Sequence, residues 1–265
     1  MKILITGSNG YIGKAVKEHY ADHDLTLLHR EVCELTDESQ VDSFFDNLEA
    51  PCCPKSYDAV IHCAALGGNI IERDKPKVLH DNLKMFLNLH KHKDKFGKLI
   101  HFGSGAQYHE DTYYGLSKRV IADLCKTDDK FFNIIVYGLF DKNEIETRFI
   151  KSCINKCKEG KPIIVHKNKK MDFFHMEDLL ILIDNIISVD EENKLQWIHA
   201  TREYQAVYWE EFDLCSIARM VIGEMGSGEI ILGEPGLDKP YTRTTRYYCE
   251  GSLLDRIKQT VGELK

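Results

Sequence analysis

The sequence has no long apolar run. Ile3-Leu4-Ile5 gives way at once to Thr6-Gly7. That is too short for the core of a signal peptide or for a membrane-spanning helix, so a cytoplasmic protein without a membrane partner is expected. It also has no excess of positive charge. Lys and Arg number 35 against 42 Asp and Glu, for a net charge of -7 and a pI near 6.0. Nucleic-acid binders usually present a basic surface, so no such partner is expected. Nine cysteines are scattered without metal-finger spacing, and Cys153 and Cys157 stand too isolated for a zinc site. They read as reduced thiols. His90 and His92 are two apart on a helix and so do not share a face. No metal is expected. There is no internal repeat, low-complexity tract or linker, so nothing separates a tethered module.

What is present is a rhythm. Short apolar runs at Lys2–Thr6, Leu25–Leu28, Asp58–Cys63, Lys98–Phe102 and Phe132–Tyr137 read as strands. Amphipathic segments lie between them: a helix from about Tyr11, then Glu38–Leu48, Pro76–Lys93 and Tyr114–Lys126. Such alternation predicts an α/β fold, a doubly wound parallel sheet covered on both faces. Beyond Gly138 the rhythm loosens. Helices are expected at Glu144–Cys157, Met176–Ser188, Trp209–Ile222 and near Leu253, with strands at Ile163–Val165 and Gln196–Ala200. The expected division is a nucleotide-binding domain over 1–140 and a small α/β lobe over 141–265 that binds substrate.

Between the first strand and the first helix stands Thr6-Gly7-Ser8-Asn9-Gly10-Tyr11-Ile12-Gly13. Gly7 suits a tight turn, Gly10 lets backbone approach a pyrophosphate, and Gly13 lets the helix pack close on the strand. The helix N-terminus adds unpaired N–H groups and a positive dipole end. In strand-turn-helix context this loop predicts a dinucleotide, with Asn9, Tyr11 and Ile12 among the lining residues. The second strand ends Leu27-Leu28-His29-Arg30, without the acid that would bind ribose hydroxyls. Arg30 suits a 2′-phosphate, which favours NADP(H) over NAD(H); a solvated surface Arg is the alternative.

Tyr114 and Lys118 are four apart at the start of a helix and so share a face. A nearby ammonium favours the phenolate, which fits Tyr114 to exchange a proton with a carbonyl/alcohol pair during hydride transfer. Ser104 lies just past the fourth strand, at the sheet end where ligands bind, and can hold the same oxygen.

These pieces resemble the extended short-chain dehydrogenase/reductase family of nucleotide-sugar epimerases, dehydratases and reductases, a Rossmann-fold family. The resemblance runs through TGSNGYIG (Thr6–Gly13), HCAA (His62–Ala65), Asn82, FGSGAQY (Phe102–Tyr108), YGLSK (Tyr114–Lys118), VYG (Val136–Gly138) and MDFFHMEDL (Met171–Leu179), in family order over two-thirds of the chain. It implies Ser104, Tyr114 and Lys118 as catalytic residues, with Lys118 also on the cofactor. It implies Ala64 and Ala65 near the cofactor, Glu34 and Leu35 beside the adenine, and a homodimer paired through the helices Pro76–Lys93 and Tyr114–Lys126. His175 is expected near the substrate. Arg243 and Arg246 could grip a diphosphate or be exposed charges.

Within the family, LTLLHREVCELTDESQVDSFF (Leu25–Phe45) and HCAALGG (His62–Gly68) are most similar to the GDP-fucose synthase branch, and the departures from that branch carry information. Ala106 stands where the branch has its epimerising Cys. No His occurs between Tyr137 and Lys161, and Arg148 falls where the partner His would be. Dehydratases of the family carry an Asp-Glu pair after the catalytic Ser or Thr; here it is Gly105-Ala106. What remains is hydride transfer at a carbonyl. The expectation is an NADPH-dependent 4-ketoreductase of a nucleotide-linked 4-keto-6-deoxy hexose. The rivals are a UDP-sugar 4-epimerase that retains NAD and a non-catalytic NADP-binding regulatory protein.

Overall fold

The computed structural model describes residues 1–46, 57–67, 75–109, 111–188, 202–244 and 249–265. The short apolar runs form strands β1 (Lys2–Thr6), β2 (Asp24–Leu28), β3 (Tyr57–His62), β4 (Phe96–Ser104) and β5 (Phe131–Val136). With β9 (Glu203–Ala206) they make a sheet in the order β2-β1-β3-β4-β5-β9. The pairs β1–β2, β1–β3 and β3–β4 are parallel. Ile3, Leu4 and Ile5 on β1 are all fully buried, as an interior strand covered on both faces requires.

The crossovers are helices α1 (Tyr11–His19), α2 (Glu38–Asp46), α3 (Pro76–Lys91), the single turn α4 (Ala106–His109) and α5 (Tyr113–Cys125). α3 starts with Pro76 in its first turn, where the missing N–H costs nothing. It buries Phe86 and Leu89 against Leu4, Val60, Leu99 and Phe131. Truncating a ring such as Phe86 to Ala would cost about 3–5 kcal/mol. Register matters more for function. Leu28, Thr6, His62 and His101 are successive partners across β2, β1, β3 and β4. They form one row near the carboxyl ends of the strands, where sheets of this kind take their ligands.

The chain divides into two compact units, 1–135 with 180–204 and 136–179 with 205–265. The first therefore takes up chain from well beyond residue 140. In the second, β6 (Leu139–Phe140) pairs with β8 (Phe174–His175), and β7 (Ile163–Asn168) pairs in parallel with β10 (Ile230–Leu237). Helices α6 (Phe149–Lys158), α8 (Leu214–Met225) and α9 (Leu253–Leu264) belong here, while α7 (Met176–Ser188) passes from this unit to the first. α6 starts five residues later than its apolar pattern predicts. The Asp141 carboxylate accepts the Asn143 N–H at 2.9 Å, a local turn that competes with helix. α8 also starts late, at the cap Asp213, which accepts the Ser216 N–H at 2.7 Å. It ends at Gly226, in the left-handed region at φ 83°. The strand expected at Gln196–Ala200 lies outside the described residues.

Candidate active site

The glycine loop is shaped by close backbone approach. Gly7 has φ 63°, and a Cβ there would lie 2.6 Å from the Ala64 backbone nitrogen. A Cβ on Gly13 would fall on the Gly7 carbonyl oxygen. These two glycines let β1, β3 and α1 meet. Gly10 differs. Its nearest neighbour to a Cβ is Gly7 O at 3.3 Å, and Asn9 and Gly10 are exposed. Gly10 is also the N-cap of α1, with no side-chain cap hydrogen bond. The first turn of α1 therefore has no side chain of its N-cap lying over it, an arrangement that fits a pyrophosphate. Tyr11 and Ile12 are half-buried beside it, Ala64 is half-buried and Ala65 is exposed.

Arg30 follows β2. Its guanidinium is 72% exposed and pairs with Glu34 at 3.2 Å. Glu34 also accepts from the Thr36 hydroxyl at 2.9 Å. Leu35 is buried, and its carbonyl accepts from Asn88 at 2.8 Å. The Arg, the acid and the apolar residue thus stand together past the second strand.

Ser104 ends β4, mostly buried, and its hydroxyl accepts the Ala106 N–H at 3.2 Å. Thr112 caps α5 by accepting the Gly115 N–H at 3.1 Å. That fixes the turn carrying Tyr114, whose ring would meet any Cβ on Gly67 at 2.8 Å. One turn on, Lys118 is 3% exposed. Its Nζ lies 5.7 Å from the centre of the Tyr114 ring and donates to the Phe102 carbonyl at 2.6 Å. Burial pulls the Lys118 ammonium down to about 8. Ser104, Tyr114 and Lys118 are thus gathered on the end of β4 and the first turns of α5, within one unit. Sequence reasoning missed His101, which lies 3.5 Å from Lys118 Nζ through Nε2. Its signal was a polar residue within the apolar run of β4.

The lobe residues stand in the second unit. His175 is buried, its Nδ1 accepts the Glu177 N–H at 3.3 Å, and its ring meets Phe140 edge-on at 5.2 Å. Burial first, and Arg256 second, hold its pKa below the ordinary value, so the imidazole is neutral. Arg243 is buried on Asp172, with one bond of 2.6 Å from Nη2 and another from Nε at 3.3 Å. It also donates to the carbonyls of Trp209 and Glu210. A diphosphate held by Arg243 would have to compete with Asp172. Arg246 lies outside the described residues. A cleft of about 250 Å³ opens between α6 and β7, lined by Phe149, Ser152, Lys156 and His166 among others. Among the described residues no helix is long and apolar enough to cross a membrane, and no His/Cys/Asp/Glu group could hold a metal ion.

The family model for the NAD dependent epimerase/dehydratase family matches residues 3–196. The chain belongs to that family. It is thereby an NAD(P)-dependent enzyme of the short-chain dehydrogenase/reductase type, from a family that acts on nucleotide sugars. No curated protein matches it by sequence. Solved structures share the fold at low identity. A GDP-mannoheptose C4 reductase from Campylobacter jejuni with NADP bound is 17% identical with a TM-score of 0.76, covering 99% of this chain and 98% of that one. A GDP-L-fucose synthetase from Naegleria fowleri bound to NADP is 18% identical, TM-score 0.70, covering 98% and 91%. The Bordetella bronchiseptica enzyme WbmG, in complex with NAD and UDP, is 16% identical, TM-score 0.76, covering 99% and 94%. The doubly wound parallel sheet expected from the sequence is therefore the fold of this family, and its cofactor is a nicotinamide dinucleotide.

Proposed function

We propose that this family member is an NADPH-dependent 4-ketoreductase of a nucleotide-linked 4-keto-6-deoxy hexose. The observation that carries the reading is what stands around Ser104. Lys118 Nζ lies 5.7 Å from the centre of the Tyr114 ring, a pairing that suits a carbonyl oxygen, while the next positions are Gly105 and the fully buried Ala106. No acid or base side chain follows Ser104 there to work on a neighbouring carbon. When bound, the nicotinamide supplies hydride to the ketone carbon. Tyr114 gives its hydroxyl proton to the ketone oxygen, Ser104 donates a hydrogen bond to that oxygen, and Lys118 keeps its positive charge beside the phenol. Arg30 would face the 2′-phosphate, leaving Glu34 for it. The cleft on α6 and β7 suits the nucleotide, with the Phe149 ring for a base and Lys156 and His166 for phosphate charge.

The test is NADPH oxidation against GDP-, UDP- and dTDP-linked 4-keto-6-deoxy sugars, with NMR of the products. Net oxidation with one of them is expected. A second reading, a UDP-sugar 4-epimerase retaining NAD, draws on the pairing of Arg30 with Glu34 and on the NAD in the WbmG structure. Co-purified NAD without net oxidation would favour it. The same proposal includes a cytoplasmic homodimer through α3 and α5, where Leu87, Tyr113 and Leu116 are exposed. Sedimentation as a monomer at micromolar concentration would remove the dimer.

A further inference from the structure

β4 crosses the core, and Phe96, Leu99, Ile100 and Phe102 on it are buried and apolar. His101 breaks the run while being 1% exposed. Its ring packs edge-on against Phe86 at 5.7 Å and lies 5.5 Å from the ring of His62, its partner in the sheet row. Nδ1 is buried without a hydrogen-bond partner among the described residues. An aliphatic side chain would fill this place without orphaning a ring nitrogen, so packing does not account for a histidine here.

Lys118 gives a reason. From β4 it meets His101 Nε2 and the Phe102 carbonyl. From its own helix it stands 5.7 Å from the centre of the Tyr114 ring, and it is coupled electrostatically to His62 and Cys63 at the end of β3 and to Cys125 on α5. Burial holds both thiols well above neutrality, Cys125 at about 12. None of these groups is a carboxylate. Among the described residues the ammonium is thus buried without a counter-anion, and the acceptors it has there are a carbonyl and an imidazole. Burial first, then Lys118 and His62, keep His101 well below its ordinary pKa and therefore neutral. Of the two neutral tautomers, one turns an N–H toward the ammonium. The other carries its proton on Nδ1 and offers Nε2 as an acceptor.

We propose that His101 is a positioning residue for Lys118: its neutral imidazole accepts a hydrogen bond from the ammonium through Nε2, anchoring the lysine head to β4 and keeping it charged. With two of its three protons directed to β4, the third is left for the Tyr114 side. The inference rests on Lys118 belonging to the catalytic set.

The test follows Lys118 itself, without substrate. Protein carrying ¹³C at the lysine ε-carbon is titrated by NMR, and the Lys118 signal is assigned by its loss in Lys118→Met. In His101→Leu the Lys118 midpoint should fall by about one pH unit, because one of two acceptors has gone. In His101→Gln an amide oxygen can take the place of Nε2, and the midpoint should stay near that of the unaltered protein. An unmoved midpoint in the Leu variant, or an equal fall in the Gln variant, overturns the proposal. If neither variant folds, ¹⁵N spectra of the unaltered protein decide: the proton of His101 must sit on Nδ1, and finding it on Nε2 overturns the proposal. NADPH affinity and turnover unchanged in Lys118→Met would remove the catalytic reading of Lys118, while the midpoints still judge His101.

Discussion

The two compact units hold their buried cationic side chains differently. In the first, among the described residues, Lys118 is buried without a carboxylate, His101 leaves a ring nitrogen unpartnered, and the N-terminus of α1 has no side-chain cap. In the second, the arginines close on carboxylates, although Glu144 Oε2, His175 Nε2 and Glu210 Oε2 are buried without a hydrogen-bond partner among the described residues. Asp172 pairs with Arg243, Asp178 pairs with Arg256 and accepts from Tyr208, and Asp213 caps α8. Unmatched buried polarity costs stability, so it persists where something else needs it. The contrast teaches where chemistry is to be sought. An Arg beside a carboxylate in the second unit is a partnered charge, whereas a buried Lys without one among the described residues of the first is where a role in chemistry is to be tested.

The widest gap between the units should open with one substitution in each. Tyr114→Phe removes only a hydroxyl from the first unit. Turnover should fall roughly 10²–10⁴-fold, the range for a lost general acid, while NADPH binding measured by fluorescence stays the same. Retained turnover would remove Tyr114 as the proton donor. Asp172→Ala in the second unit strips a buried guanidinium of its partner. Both side chains are under a tenth exposed, so unfolding in denaturant should show a loss of about 3–5 kcal/mol. A variant as stable as the parent would mean that Arg243 finds another anion or water, and would reopen it as a phosphate ligand.

Arg30→Ala sharpens the contrast at an exposed position. In the protein alone Arg30 pairs with Glu34 on the surface, and such pairs contribute little to stability. Stability should therefore barely change. Affinity for NADPH should fall roughly ten- to a hundredfold relative to NADH, because only NADPH carries the group Arg30 would contact. Equal losses for both cofactors would sink the NADP preference.

Much of the first unit was legible in the sequence because its signals are local. The glycine loop, the strand tips and the Tyr114–Lys118 spacing each lie within a few residues, and their helices and strands fall within about two residues of expectation. What escaped depends on register. Along the chain His101 shows only as a polar residue in an apolar run. Only the pairing of His62 with His101, and the return of Lys118 from α5, make it a neighbour of Lys118. The same holds for Arg243, whose partner Asp172 lies 71 residues away in sequence. The late starts of α6 and α8 have a different origin. Apolar periodicity ran past their true N-termini, and short-range turns at Asp141 and a cap at Asp213 set the boundaries.

The smallest effect tests the difference between the two helix N-termini. α8 opens with Asp213, whose carboxylate accepts the Ser216 N–H, while the Asn168 side chain accepts the Cys215 N–H at 3.1 Å. Burial alone would raise the Asp213 pKa, but the hydrogen bonds it accepts from Ser216 and Asn168, with the charge of Arg219, favour the charged carboxylate and place it below its usual value. A lowered pKa means that the unfolded chain binds the proton first as pH falls. The contribution of Asp213 is therefore complete above the ordinary carboxylate range and is lost on acidification through the lower folded value. Asp213→Ala should cost about 1 kcal/mol near neutral pH, and the difference from the parent should shrink in acid. At α1 the corresponding residue is Gly10, with no cap to remove. Gly10→Ser would offer the first turn a capping hydroxyl, so stability should be equal or slightly higher while cofactor affinity falls. Lower stability together with unchanged cofactor binding in Gly10→Ser would show that the uncapped turn serves the fold and not the ligand.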